Sequence, residues 1–436
     1  MTSNSYTPFG DEGCSVVSSH VTGDLMFYTD GSKVIDKNHT LMPNGNGLFG
    51  HTSSFSNGKT CVNPSDCKQY YVFSMNYVTE QGGTGDLYYS IVDMSLNGNG
   101  NVANPSGDVL LKNVLITTGT SESMEVIPKS GSHDYWLLLA KNTTNTVEVY
   151  SVTGAGISLS SVYNLSNSMT DMRSLKYCKE NGKVAITSMV ESDPVLLLSF
   201  NDILGQIQAE NIVPGTPWGN SSNYWQGTFD SEWSPDGTKL YISKYRWGGS
   251  SSGRLYQYDL NMTGNQPLLI HSLSNSNSAV TKGLKLAPDG KIYMQYIHSA
   301  MELTSFINVI EQPDLVGLNC NFILNQINMG SNISTTHLFP YFGSLANTLP
   351  IIPDTIFYSS GSDVLFPLQG YLDNEGDALN ISTVNYSGGT VVLLGDSIQF
   401  VAVMSSCTNG QITVSYCDDY CVSLCDTFVI DIIRVK

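Results

Sequence analysis

Asp373, Glu375 and Asp377 alternate within Asp-Asn-Glu-Gly-Asp, where Gly376 permits a sharp turn and three carboxylates come within reach of one hard cation. That is Ca2+ chemistry, although the loop lacks a full twelve-residue ligand register and an acidic turn can equally be only solvated. A second group is aromatic: Trp218, Tyr224 and Trp225 lie in segment 217–227, and Tyr245 and Trp247 in segment 245–250, all among Gly, Ser and Asn. Such rings stack on sugars or anchor protein partners; the competing reading is packing beneath a long loop. Of nine cysteines, none forms a CxxC pair or stands near a histidine at metal spacing, so zinc is not indicated. Cys61 and Cys67 bracket a short loop and Cys417 and Cys425 face each other across a hairpin, so both pairs are expected as disulfides, with Cys407 and Cys421 a further pair. The odd count leaves at least one free thiol, expected at Cys14, Cys178 or Cys320 buried in a blade. Bridges would place the chain in an oxidising compartment.

Catalytic arrangements are not evident. Glycan hydrolysis on a propeller needs paired carboxylates in a cleft, or an arginine cluster with a carboxylate pair and a Tyr nucleophile. Arg173, Arg246 and Arg254 belong to no motif, the seven histidines are scattered, and there is no GxSxG, phosphate loop or dinucleotide fingerprint. Asp236 and Asp289 sit in Pro-Asp-Gly turns, where a carboxylate secures the turn. The expectation is a non-enzyme with no catalytic residue.

The elements that must carry these groups repeat. Ser-Pro-Asp-Gly-Thr-Lys-Leu-Tyr-Ile at 234–242 returns as Ala-Pro-Asp-Gly-Lys-Ile-Tyr-Met at 287–294, and degenerate copies fall at 178–186, 128–136, 63–71 and 21–27. About six copies at roughly 45–65 residue spacing predict a β-propeller of six four-stranded blades, with seven allowed. One blade is written Thr228–Trp233, Leu240–Lys244, Leu255–Leu260 and Pro267–His271. Closure is expected to pair the segment near Cys14 with 337–342, since an unsealed ring exposes two strand edges. After Leu349-Pro350-Ile351-Ile352-Pro353 the repeats stop, and about 85 residues of short alternating strands predict an immunoglobulin-like sandwich. The predicted domains are thus 1–348 and 349–436, an all-β chain.

With 20 basic against 38 acidic residues and a net charge of −18, the chain has no visible Lys/Arg cluster for nucleic acid and is ill-suited to an anionic membrane surface. No run has the length of a membrane-spanning helix. Residues 1–6 show no basic region followed by an apolar core, so a signal peptide is expected to be absent, removed or upstream of this numbering.

Glu12-Gly13-Cys14-Ser15-Val16-Val17-Ser18, Gly23-Asp24-Leu25-Met26-Phe27-Tyr28-Thr29-Asp30-Gly31, Met42-Pro43-Asn44-Gly45, Tyr88-Tyr89-Ser90-Ile91-Val92-Asp93-Met94 and His133-Asp134-Tyr135-Trp136 resemble the N-terminal propeller of large secreted surface proteins of gliding or adhesive Bacteroidota. Segments 372–379, 416–419 and 425–427 are similar to the cadherin-like repeats of such proteins. The resemblance implies a non-catalytic, extracellular or cell-surface module for adhesion or surface-filament assembly, with glycans or other surface proteins as partners. It brings no catalytic constellation. Relative to that family, the β segment before Glu-Gly-Cys is nearly missing and no sorting domain follows Lys436, so the chain is expected to be an excerpt or a differently closed variant. The alternatives are a polysaccharide-processing propeller enzyme and a structural component of a virion or injection particle.

Overall fold

The computed structural model describes residues 12–19, 22–76, 84–219, 226–244, 253–262, 264, 266–273, 279–298, 306–329, 338–342, 355–359, 363–367, 375, 379–387, 389–394, 397–402, 410–418 and 424–434. The chain divides into two compact units, the first of Met1–Ser19, Asp24–Lys129 and Asp134–Ser344 and the second of Leu345–Lys436 with the short segments His20–Gly23 and Ser130–His133.

The first unit is a six-bladed β-propeller. From the axis outward, blade 1 is Ser15–Ser18, Leu25–Thr29, Lys33–Asp36 and Leu41–Asn46; blade 2 is Thr60–Asn63, Asp66–Met75, Leu87–Asp93 and Asp108–Thr117. Blade 3 is Met124–Pro128, Tyr135–Lys141, Thr146–Thr153 and Gly156–Asn164; blade 4 is Met172–Cys178, Lys183–Ser188, Leu196–Asn201 and Gln206–Ile212. Blade 5 is Thr228–Trp233, Lys239–Lys244, Arg254–Asp259 and Leu268–Ser272; blade 6 is Ala279–Leu286, Ile292–His298, Phe306–Ile310 and Phe322–Asn328. All six repeat hairpins read from the sequence join the first two strands of a blade. No α-helix occurs among the described residues.

The hairpins form because their turns are satisfied locally. In blade 5, Asp236 Oδ1 accepts bonds from the Thr238 amide at 2.9 Å and the Ser234 hydroxyl at 2.7 Å, while Gly237 holds φ +68°. These bonds hold the Asp236 carboxyl down at about 2, against the opposing effect of burial. In blade 6, Asp289 accepts from the Lys291 amide and the Tyr293 hydroxyl. Both aspartates secure turns, as their position in the repeat suggested.

Blades then stack through their faces. Trp136, Leu138 and Val149 of blade 3 meet Leu175, Ile186, Leu196 and Phe200 of blade 4, and Trp233 of blade 5 joins Ala185 and Leu197 of blade 4, its indole N–H donating to Lys176 O at 2.9 Å. Each fully buried large side chain contributes about 1.5–3 kcal/mol. The ring is sealed by Tyr341–Phe342, which runs parallel to the innermost strand of blade 1 with Ser15 opposite Tyr341 and Val16 opposite Phe342. Tyr341 N donates to Cys14 O at 2.8 Å. The predicted closure is therefore present as a fifth strand added at the axis.

The second unit consists of two sheets: Thr355–Ser359, Leu424–Arg434, Gly410–Asp418 and Leu379–Ser387 form one, and Asp363–Pro367, Ser397–Ala402 and Gly389–Leu394 the other. Ile412, Val414 and Tyr416 are buried on one long strand and Phe428, Ile430 and Ile432 on its neighbour, at the period of two that a strand with one core face requires.

One cysteine prediction is overturned. Cys61 is a buried free thiol. The hairpin register explains why: Asn63 pairs with Asp66 across a bulge, which places Cys61 opposite Tyr71, four residues beyond Cys67. At least one free thiol was expected among Cys14, Cys178 and Cys320, and all three are buried and outside disulfides. Cys417 stands opposite Cys425 in the hairpin register, whereas Cys407 and Cys421 lie outside the described residues.

Candidate functional site: a charged cavity on the propeller axis

The innermost strands, apolar on the faces that stack, carry charge where they converge. In blade 4 Arg173 and Lys176 are three residues apart, as are Lys282 and Lys285 in blade 6 and Glu122 and Glu125 in blade 3. Strand side chains alternate, so i and i+3 normally point to opposite sides. Register shifts at Met172/Ser174 and at Thr281/Leu284 break that alternation in blades 4 and 6. Two tiers of charge result.

In the first tier Arg173 is surrounded by three acids. Its Nη1 contacts Glu122 Oε2 directly and lies 3.9 Å from Glu12 Oε2, and its Nε donates to Asp171 Oδ2 at 3.1 Å. All four residues are buried. Burial pushes the Glu122 carboxyl up to about 8 despite the Arg173 charge, and the charges of Glu12 and Asp171 push the same way. Blades 1, 3 and 4 are thus tied together across the axis. Beside this tier, Phe55, Met189, Phe229 and Leu338 form an apolar plug, with Lys282 Nζ 4.5 Å from the Phe229 ring centre.

The second tier lines a cavity of about 140 Å3. Its charged side chains are Lys59, Glu125, Lys176, Asp230, Glu232 and Lys285, and Tyr341 closes one wall. Lys59 Nζ is bonded to Glu125 Oε2. Lys176 Nζ lies 3.7 Å from both Asp230 Oδ1 and Glu232 Oε2. The two acids are also anchors for the next blade, since Asp230 Oδ2 accepts from Leu284 N at 3.0 Å and Glu232 Oε2 from Leu286 N at 3.2 Å. Their other oxygens accept from Ser174 Oγ and Ser231 N, and from Trp233 N. Lys285 has no carboxylate oxygen within 4.0 Å among the described residues; its Nζ is 5.8 Å from the Tyr341 ring centre and 6.0 Å from that of Phe342.

The electrostatics follow from burial and pairing. Burial opposes the Lys176 ammonium, but the Asp230 and Glu232 charges outweigh it and its pKa is raised. Burial lowers the pKa of Lys59 in spite of Glu125. It lowers that of Lys285 too, with the nearby Lys176 charge adding to the effect. Chemically, the cavity offers ammonium donors beside carboxylates that are mostly engaged.

The residues singled out from the sequence lie elsewhere. Trp218 is half-buried, its ring centre 4.5 Å from that of Tyr256 and its face under Lys244 Nζ at 5.3 Å, and it packs against the cluster between blades 4 and 5. Tyr224, Trp225, Tyr245 and Trp247 lie outside the described residues, as do Asp373 and Asp377; Glu375 is half-buried. No group of three metal-ligating side chains occurs among the described residues, and no helix is long and apolar enough to cross a membrane. The sequence reading missed the axial charges, whose one trace is a pair of basic residues three apart on a first strand, Arg173 and Lys176 in blade 4 and Lys282 and Lys285 in blade 6.

No protein-family model and no curated protein matches the chain. Among solved structures, an extracellular domain assigned to a one-component system of B. thetaiotaomicron matches at 12% identity with a TM-score of 0.37, covering 69% of this chain and 32% of that one. A Bacteroides uniformis protein assigned as a 6-phosphogluconolactonase matches at 10% identity and a TM-score of 0.36, covering 73% and 98%. A GH43 β-1,3-galactosidase solved with galactodeoxynojirimycin matches at 11% and 0.34, covering 58% and 86%. The chain spans about a third of the length of the first of these. Likeness at this level carries no argument about ligand or activity. The architecture rests on the strand order: the chain contains a six-bladed β-propeller.

Proposed function

We propose that the chain is a non-catalytic recognition and structural module displayed outside the cell, a propeller followed by an immunoglobulin-like sandwich that acts in adhesion or in building a surface filament. The supporting observation is how the axial carboxylates are used. Asp230 and Glu232 are spent on backbone amides of blades 5 and 6, Glu125 is bonded to Lys59, and Glu122 and Asp171 contact Arg173. A hydrolase needs an acid and a base free to exchange protons with substrate. The seven strands in two sheets favour the sandwich reading, and the Cys417–Cys425 register suits a bridge made in an oxidising compartment.

A glycan array combined with reducing-end assays on the same glycans tests this reading. Binding without turnover is the expected result. Release of reducing ends from any bound glycan would favour the polysaccharide-processing alternative, and recovery of the chain in purified particles rather than at a cell surface would favour a virion component.

A further inference from the structure

We infer that the axial cavity is a binding site for one small carboxylate-bearing sugar, of hexuronate size, seated between Lys176 and Lys285. This goes beyond the adhesion reading, because recognition on an outer surface and occupancy of the axis are separate events.

Three observations carry it. The first is charge placement. Of 20 basic residues in a chain of net charge −18, Lys59, Arg173, Lys176, Lys282 and Lys285 stand on or beside the first strands of only three blades. The second is the inequality of the partners inside the cavity. Both oxygens of Asp230 and of Glu232 already accept backbone or hydroxyl hydrogen bonds. The Lys176 ammonium sits 3.7 Å from either acid, beyond hydrogen-bond length, and Lys285 faces rings rather than a carboxylate. The donors of the Lys285 ammonium are therefore available to an entering oxyanion, with the ion-paired Lys176 charge on its other side, and a bond from a charged donor to a carboxylate is among the strong ones.

Size and the remaining acceptor select the ligand. A cavity of about 140 Å3, close in volume to an engineered cavity of about 150 Å3 that holds benzene, limits the ligand to a single ring. Glu125 uses Oε2 on Lys59 and has no hydrogen-bond partner at Oε1 among the described residues. That oxygen can accept from a ring hydroxyl, which favours a hydroxylated acid over an aromatic one. The same group could arrive as a free sugar acid or as the end of an acidic polysaccharide.

Titration calorimetry of the full chain at low salt, with glucuronate, glucose, benzoate and inorganic phosphate, tests the inference. Glucuronate should bind one to one and weaken as salt is added. Glucose should bind roughly tenfold or more weakly, and Lys285→Gln should weaken glucuronate by about 10- to 100-fold while Lys285→Arg retains most of the affinity. A chain-ending glucuronate on an oligosaccharide that binds more tightly than the free acid identifies the polysaccharide source; equal or weaker binding identifies the free acid. Should Lys285→Gln fail to fold, amine acylation of the wild-type chain replaces it: glucuronate should protect Lys285 and leave exposed Lys179 unprotected. Equal binding of glucose, preference for benzoate or phosphate, absence of any binding, or an unprotected Lys285 would each overturn the inference, and none would touch the array result.

Discussion

The first-tier cluster makes a pH prediction that can be worked through. Three carboxylates share one guanidinium in a buried site, and the Glu122 carboxyl is raised from its ordinary 4.5 to about 8. A raised carboxyl pKa means that the folded chain binds a proton that the unfolded chain releases, so stability must fall as pH rises from 4.5 to 8. Each pH unit in that window costs up to about 1.4 kcal/mol, or up to about 5 kcal/mol across it. Glu122→Gln is neutral in both states and lacks this slope. The variant should match the wild type near pH 4.5 to within a constant offset, then gain on it steadily up to pH 8, where the difference levels off. Urea unfolding followed by tryptophan fluorescence reads this selectively, because all five tryptophans precede Ser344 and belong to the propeller. A pH-independent difference, or a wild type that gains on the variant over that range, would show that Glu122 is ionised in the fold and that Arg173 suffices to hold all three acids charged.

Other outcomes follow from the same geometry. Lys176→Met leaves Asp230 and Glu232 buried without their cation and should destabilise the propeller by about 3–5 kcal/mol in urea titrations, whereas a loss under about 1 kcal/mol would mean the backbone donors suffice. Tyr341→Pro removes the amide that bonds Cys14 O at 2.8 Å and should cost about 1–3 kcal/mol with faster exchange of the amides of blade 1; unchanged protection there would deny the closing strand its role. Non-reducing peptide mapping should recover Cys61 as a free thiol and a linked Cys417–Cys425 peptide, and a free thiol at Cys417 would remove the oxidising-compartment argument. If Asp373, Glu375 and Asp377 hold Ca2+, calorimetry of the full chain should show EDTA lowering a transition that tryptophan fluorescence does not report, and superimposable scans with EDTA and Ca2+ would end that idea.

What the sequence made legible was whatever local chemistry decides. Pro-Asp-Gly at 235–237 and 288–290 dictates a turn through φ preferences and a side-chain acceptor, so the hairpins could be placed without knowing the ring, and the four strands of blade 5 fall within a residue or two of their expected bounds. The closing strand was legible because an open ring leaves edges that something must cover. The axial site was not. Its residues Glu125, Lys176, Asp230 and Lys285 come from four blades, and strand alternation would turn a residue three positions away to the opposite side unless a bulge intervenes. Cys61 misled for a related reason, since distance along the chain says nothing about register, and one bulge at Val62/Asn63 moves its partner to Tyr71.

Why the ring keeps charge on its axis is a question of specificity more than of stability. Buried ion pairs seldom outperform well-packed apolar side chains in net energy, because desolvation consumes most of the attraction. Yet six similar blades must each meet the right neighbour, and axial pairs that differ from junction to junction add to what the apolar faces distinguish. The axial charges differ at each junction. Lys59 and Glu125 join blades 2 and 3, Lys176 with Asp230 and Glu232 joins 4 to 5, the same two acids bond the backbone of blade 6, and Arg173 requires carboxylates from blades 1 and 3. A blade docked out of order would strand one of these charges in the interior at a cost of several kcal/mol. The pairing that enforces blade order engages Lys59, Lys176 and Arg173 with carboxylates and leaves Lys285 facing aromatic rings, so the device that orders the ring also leaves an ammonium group turned toward the cavity.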